Sequence, residues 1–362
     1  MQRVLFIVGG FGLGNATRCE SLLREFERRG LSVDVASSGN AHWYFSSLPQ
    51  NPVKIQLRSL SYGVRNGEIS LSSTLLSLPA LLKDLMRNAF AIWRLQRKQQ
   101  YDLLVVDSEY SVFPIKWLMR APVLALNNVF FTALLDKQSE AVRPVPTKYL
   151  ERLDHFVQST CADFYVSPVL DPQVVGEQEK LLFCPPLIRP DLKTSSATSC
   201  LQRALVVMSG SGLGADAALV NELARIPSIT SIVVLGMSGQ NLGKVSYLGK
   251  QSAVSECIEE ADFIVSAGGF SSLSEAIVCR KPLMMIPLKN HYEQDLNTQC
   301  VERLNLGVIA QQHSLFEAYQ VLQQKILQMD WTAPLFTTPG AVMAVDFVLR
   351  QCSPLKAIDA HV

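Results

Sequence analysis

The chain has 362 residues, 48% of them hydrophobic and 18% charged, with a mean hydropathy of +0.17. This is an ordinary folded composition at the apolar end, and the length suits two domains that each bury a core. Thirty-three Lys and Arg against 32 Asp and Glu leave a net charge of +1, which excludes the positive field of a nucleic-acid grip.

In chain order, Val4 to Val8 is an apolar run too short for a signal-peptide core or a membrane span and suited to a buried first strand. It leads into GGFGLGNATR, Gly9 to Arg18, and then a helix with an apolar stripe at Leu22, Leu23 and Phe26. A strand, a glycine-rich turn and a helix N-terminus together present backbone N–H groups to an anion or a polar ligand. Gly9, Gly10, Gly12 and Gly14 do not fit G-x-G-x-x-G, and Asp34 sits inside SVDVASS rather than at its strand's end. Dinucleotide binding is therefore disfavoured, with a purely structural turn as the competing reading. Apolar runs at Val33–Ser37, Leu103–Asp107, Val123–Leu126 and Phe164–Ser167 complete a first series of strands, separated by helical patterns. Such runs are what parallel sheets covered on both faces require.

Within this first half, Leu71 to Gln100 is apolar and basic: from Leu78 to Lys98 five basic residues accompany one acidic residue, Asp84. Two readings stand: a core helix with a solvated basic edge, or a helix that lies on an anionic membrane and brings the protein to a lipid-linked acceptor. No uncharged apolar stretch reaches the ~18 residues of a membrane span, so such contact would be peripheral.

The text FCPPLIRPDLKTSSATSC, Phe183 to Cys200, is rich in proline and then in Ser and Thr, and reads as a linker. It divides the chain into an N-terminal domain at 1–188, a linker at 189–202 and a C-terminal domain at 203–338. A second strand series follows at Leu205–Met208, Ile232–Leu235, Phe263–Ser266, Leu283–Ile286 and Val308–Ala310. After the first of these, Ser209, Gly210, Ser211, Gly212 and Gly214 form another glycine-rich turn, set to face the first across a cleft. A final helix at 339–352 is expected to pack back across the junction. The eight cysteines include no C-x-x-C and no cluster with His, which indicates neither a zinc site nor a disulfide framework and points to a reducing cytoplasm.

The most informative stretch is ADFIVSAGGFSSLSEAIVCRKPLMMIPLKNHYEQDLN, Ala261 to Asn297. Its strand ends in Gly268 and Gly269, and Ser271 and Ser272 open a helix whose amides and hydroxyls can hold a diphosphate. Glu275, one turn on, can accept two hydrogen bonds from a ribose diol; its structural alternative is a solvated helix residue. Glu293, Gln294 and Asn297 are offered to hydroxyls of the group carried by the phosphates, while His291 reads equally as an ordinary loop histidine.

These residues resemble the donor site of GT-B glycosyltransferases, in the bacterial and archaeal branch near the UDP-N-acetylglucosamine transferase of lipid II synthesis. The matching positions are Ala261-Asp262, Gly268-Gly269, Ser271-Ser272, Glu275-Ala276, Lys281-Pro282, Pro287, Glu293-Gln294 and Asn297. In the first half, FGLGNATR resembles that family's G-x-G-H-x-x-R turn, and YDLLVVDSEY and APVLALNNV resemble two of its strands. The resemblance implies an α/β fold of two Rossmann-like domains with parallel sheets facing across a cleft. The first domain would take the acceptor and the second a nucleotide-diphosphate sugar, UDP-linked, as donor substrate with no resident cofactor. It further implies that Ser209 to Gly212, Ser271 and Ser272 hold the diphosphate and that Glu275 binds ribose. Glu293 and Gln294 would bind sugar hydroxyls and the backbone at Tyr247 and Leu248 the base, with Gly14, Gly268, Gly269 and Asn297 completing the donor set.

One position departs from the family. Asn15 stands where relatives have His, and an amide cannot act as a general base. Asp107 or Glu109, at the end of the LLVVD strand where ligands collect in open α/β sheets, are the candidate bases; a helix-capping role for Asp107 is the alternative. His42 and His155 read as structural. No D-x-D occurs, and Glu260 to Asp262 is expected to face solvent, so no metal is assigned. The reaction expected is an inverting, metal-independent transfer at the cytoplasmic face of a membrane. The rivals are a nucleotide-sugar hydrolase and a non-catalytic nucleotide-sugar-binding protein.

Overall fold

The computed structural model describes residues 1–10, 12–60, 64–65, 68–69, 71–138, 146–194, 198, 200–207, 217–251, 254–329, 331 and 335–359. The first half contributes β1 (Arg3–Val8), α1 (Gly14–Arg28), β2 (Ser32–Ser37), α2 (Gly39–Ser47), β3 (Val53–Gln56) and the hairpin β4 (Val64–Arg65) and β5 (Glu68–Ile69). It continues with α3 (Leu71–Gln99), β6 (Leu103–Asp107), β7 (Val123–Leu126), α4 (Val129–Gln138), α5 (Pro146–Cys161), β8 (Phe164–Pro168), β9 (Gly176–Gln178) and β10 (Leu181–Cys184). Eight of these strands form a sheet in the order β3-β2-β1-β6-β7-β8-β10-β9, parallel except for the antiparallel β9–β10 edge.

The second half holds β11 (Arg203–Val207), α6 (Ala217–Ala224), β12 (Ser231–Leu235), β13 (Val245–Gly249), α7 (Ser255–Glu260), β14 (Phe263–Ser266) and α8 (Phe270–Val278). After them come β15 (Leu283–Met285), α9 (Tyr292–Arg303), β16 (Gly307–Ile309), α10 (Leu315–Lys325) and α11 (Gly340–Asp359). Its six strands are ordered β13-β12-β11-β14-β15-β16, all parallel. The chain is thus an α/β protein with two parallel-dominated sheets. The strands of the two large sheets that the sequence does not announce are β3, β9, β10 and β13. All four lie at or beside a sheet edge, and β3 alternates half-buried with exposed positions instead of running apolar throughout.

Central strands are apolar because both faces are covered. Val4 to Val8 are each 0% exposed. One face of the first sheet packs Leu22 and Phe26 of α1, Phe45 of α2 and Phe347 of α11; the other packs Ile92 of α3. The last helix therefore covers the first sheet although it follows the second, with Phe347 edge-on to Phe164 at 6.3 Å between centroids. Gly340, at its start, touches the first passage between the sheets: a Cβ there would lie 2.1 Å from the Pro185 carbonyl oxygen.

Asp262 does not face solvent as expected. It is 4% exposed, pairs with Arg203 at 2.8 Å and accepts hydrogen bonds from the N–H groups of Gln202 and Arg203, tying the start of β14 to β11. On α3, Ala89 and Ile92 are fully buried, while Leu78, Leu82, Met86 and Phe90 form an exposed apolar row. The core-helix reading thus holds for the buried face of α3. Among the described residues no helix is long and apolar enough to cross a membrane.

Candidate functional site

A cavity of about 680 Å³ opens where the C-terminal ends of strands from both sheets converge, reached by Arg18 after β1, Ser108 after β6, Leu235 at the end of β12 and Ala267 after β14. Open α/β sheets place ligands at such strand ends. The first strand reaches the cavity by passing between its neighbours. A Cβ on Gly9 would lie 2.1 Å from the Ser108 carbonyl oxygen, and one on Gly10 1.8 Å from that of Ser38, so only glycine fits this turn.

The wall from the second half is built largely from backbone. Gly268 has φ +87°, its carbonyl accepts a hydrogen bond from Asn297 Nδ2 at 3.3 Å, and a Cβ would lie 2.6 Å from Thr298 Cγ2. No side chain caps α8 at Gly269, so the N–H groups of its first turn stay available to a ligand, at the positive end of the helix dipole. Ser272 Oγ donates to the Gly269 carbonyl at 2.9 Å and lies 2.7 Å from Ser266 Oγ. Ser271 Oγ donates to the Gly14 carbonyl at 3.1 Å, which brings the start of α8 against the start of α1.

Glu275 is 5% exposed and lines the cavity with Arg189, which comes from the proline-rich stretch after β10. Its Oε1 is 3.2 Å from Arg189 Nε, but the two are not aligned as a hydrogen bond, and Arg189 Nη1 has no partner. Burial pushes the Glu275 carboxyl above its ordinary range, and the Arg189 charge opposes this only in part. Glu293 Oε1 accepts from Asn128 Nδ2 of the first half at 2.8 Å, and Gln294 Oε1 accepts the Leu288 N–H at 3.0 Å.

The opposite wall is built from side chains. Asn15 lines the cavity, donating to the Gly9 carbonyl at 3.2 Å and accepting from Arg18 at 3.3 Å. Arg18 holds Asp107 with two bonds of 2.9 and 2.7 Å. Burial alone would lower the Arg18 value; the Asp107 charge and hydrogen bonds outweigh it and hold Arg18 above its ordinary range. Asp107 is 0% exposed and also accepts from Cys19 and Ser108. Glu109, 1% exposed, accepts from the Ser111 N–H and hydroxyl. Neither is among the residues that line the cavity, where a base was expected: Asp107 is held inside the fold by Arg18, and Glu109 Oε2 is buried without a hydrogen-bond partner among the described residues.

The carboxylates that do line the wall are Glu151 and Asp154 of α5, beside Tyr110 and Asn128, and Leu78, Leu81, Leu82 and Leu85 of α3 form its apolar part. Asp154 Oδ1 accepts from Tyr110 Oη at 3.0 Å and from Gln158 Nε2 at 2.6 Å. Burial raises the Asp154 carboxyl; those two bonds pull it back, and the charges of Glu293 and Asp107 add to the rise. Glu151 is held well above its ordinary range by burial and by Glu293 and Asp154.

Of the residues named from sequence, Gly14, Asn15, Gly269, Ser271, Ser272, Glu275, Glu293 and Gln294 meet at the cavity. Gly268 and Asn297 shape the turn behind it, and Asn297 is 0% exposed. Tyr247 and Leu248 lie off the wall: Tyr247 donates its N–H to Asn241 Oδ1 at 2.7 Å, and Lys250 and Gln251 reach the cavity instead. Ser209 to Gly212 lie outside the described residues. His42 does not line the cavity, and His155 packs against the Phe130 ring at 4.9 Å, whereas His291 does line it. Sequence reading passed over Arg189, Asn128, Glu151 and Asp154. The available signals were a lone arginine beside Leu187 and Ile188 in the linker and an E-x-x-D spacing that sets two carboxylates on one helix face. Among the described residues no group of three or more His, Cys, Asp or Glu is placed to hold a metal ion.

The family model described as Glycosyl transferase family 1 matches residues 2–324. An uncharacterized glycosyltransferase of Methanopyrus kandleri is 24% identical over 328 residues, covering 86% of this chain and 92% of that protein. One from Methanosarcina mazei is 22% identical over 326 residues, covering 84% and 85%. Among solved structures, the glycotransferase of kitacinnamycin aligns with a TM-score of 0.63 at 15% identity, covering 96% of this chain and 98% of its own. MurG of Acinetobacter baumannii aligns with a TM-score of 0.60 at 15% identity, covering 97% and 100%.

Proposed function

The chain belongs to this glycosyltransferase family, and from that premise we propose that it moves a sugar from a UDP-linked donor to an acceptor hydroxyl, with inversion and without a metal. The donor sits in the half at 203–338 and the acceptor in the half at 1–188. The observation that carries this reading is the uncapped start of α8 beside Glu275 and Arg189. The amides of α8 meet the charge of the departing diphosphate, the role that removes the need for a metal. Arg189, with Nη1 unpartnered, adds a cation at the same place. Glu275 turns to the ribose diol. Glu293 and Gln294, at the start of α9, face the sugar.

Glu275→Ala is expected to weaken UDP binding at least 100-fold by calorimetry; unchanged affinity overturns the donor assignment. The leucines of α3 suit an acceptor with an apolar part, and the exposed row from Leu78 to Phe90, with Arg87 and Arg94 beside it, suits an anionic membrane surface. We place the protein in the cytoplasm, at the inner face of that membrane, with a lipid-linked acceptor.

A further inference from the structure

Transfer to a hydroxyl needs a group to take its proton, and the usual position is closed here. Asn15 has no basic nitrogen, and Asp107 behind it has both oxygens held by Arg18. We propose that Asp154 of α5 is the general base, an inference that rests on the function given above.

Three observations place it there. Asp154 lines the same cavity as the donor wall, in which Glu275 and Arg189 have side chains 7% and 10% exposed and polar atoms without hydrogen-bond partners. Its Oδ1 is fixed by Tyr110 Oη at 3.0 Å and Gln158 Nε2 at 2.6 Å, while its Oδ2 accepts no hydrogen bond among the described residues. Two donors on one oxygen orient the carboxylate and favour its ionised form, leaving the other oxygen to receive a proton. Glu151, one turn earlier, has no such donor among the described residues, and burial with the nearby Glu293 and Asp154 holds its carboxyl well above the ordinary range. Burial, with Glu293 of α9 and Asp107 at the end of β6, raises the Asp154 carboxyl above its ordinary range, the direction that makes it a stronger base.

In the step, Asp154 Oδ2 takes the acceptor proton as the O–H bond breaks, and the freed electron pair forms the bond to the anomeric carbon. The bond from that carbon to the diphosphate oxygen breaks, its pair leaving on UDP, and Asp154 returns the proton to water. Tyr110 and Gln158 are positioning residues.

The test reads UDP release from UDP-glucose, UDP-galactose and UDP-N-acetylglucosamine, each with water alone and with dodecyl β-D-glucoside as acceptor, beside calorimetry with UDP. Asp154→Asn should lower kcat about 10²–10⁴-fold, the usual range for a general base, with UDP affinity within about twofold. Asp154→Glu, which keeps a carboxylate should the amide impair folding, should recover part of the rate and move the acid limb of the pH profile. Glu151, Glu293, Asp107 and Tyr110 also face Asp154, so the shift is read against wild type. Asp154→Asn within threefold of wild type overturns the proposal, as does a wild type that binds UDP but releases none with either acceptor. Loss on Glu151→Gln with Asp154→Asn active also overturns it. A wild type that does not bind UDP instead brings down the donor reading and the base with it.

Discussion

The two walls of the cavity are built by different means. The wall of the second half uses backbone: a glycine at φ +87°, the open start of α8 and two serines that bond to main-chain carbonyls. The wall of the first half uses side chains carried on five separated segments, at Asn15 and Arg18, at Leu78 to Leu85, at Tyr110, at Asn127 and Asn128, and at Glu151 and Asp154. Backbone sites are local in the chain because a strand, a turn and a helix start are consecutive. Side-chain sites assemble whatever the topology brings together.

Substitutions can break this contrast, and the largest effect belongs to the side-chain wall. Asp107→Ala leaves the Arg18 guanidinium buried without its partner and should cost about 3–5 kcal/mol in denaturant unfolding. A loss below ~1 kcal/mol would show that the pair is not structural in the sense argued. Gly268→Val forces a branched side chain to a positive φ and onto Thr298, costing about 2–3 kcal/mol and removing UDP binding by calorimetry. Retained UDP affinity would mean that the backbone wall does not bind the donor.

A smaller effect, of opposite sign, is expected at Glu151. A carboxyl raised in the folded state costs stability above its unfolded value of about 4.3. The cost grows until the pH passes the folded value and vanishes in acid. Glu151→Gln should therefore raise Tm by a few degrees at pH 8 and leave it unchanged at pH 4; an equal rise at both would refute the electrostatic cause. Least of all, Met86→Ser with Phe90→Ser should change stability by under about 0.5 kcal/mol, both side chains being more than half exposed, while lowering sedimentation with anionic vesicles. Vesicle binding unaltered by the pair would remove the membrane surface from the function.

How much could be read in advance follows the same division. Glycines, serines and Glu275 within Ala261 to Asn297 could be read because their chemistry depends on neighbours in the chain. Asp107 could not be placed from sequence because a carboxylate at a strand end looks alike whether it meets a ligand or neutralises a buried arginine. Only the packing of α1 on the sheet decides between them, as Arg18 does here. Asp262 misled in the same way, through Arg203. Asp154 was invisible because its hydrogen-bond partner Tyr110 lies 44 residues away in the chain. The edge strands β3 and β13 escaped because half-exposed positions interrupt their apolar pattern.

The contact between Gly340 and Pro185 has a mechanical meaning. The chain passes from one sheet to the other and returns, and the two passages lie side by side, with a Cβ on Gly340 meeting the oxygens of Pro185 and Pro186 at 2.1 and 2.7 Å. Two covalent tethers at one place act as the spine of a book: they permit the covers to swing and forbid them to slide or twist apart. Any relative movement of the two sheets has its shortest lever arm there. The seam between Gly14 and Ser271, on the cavity wall, is a further place where the halves meet.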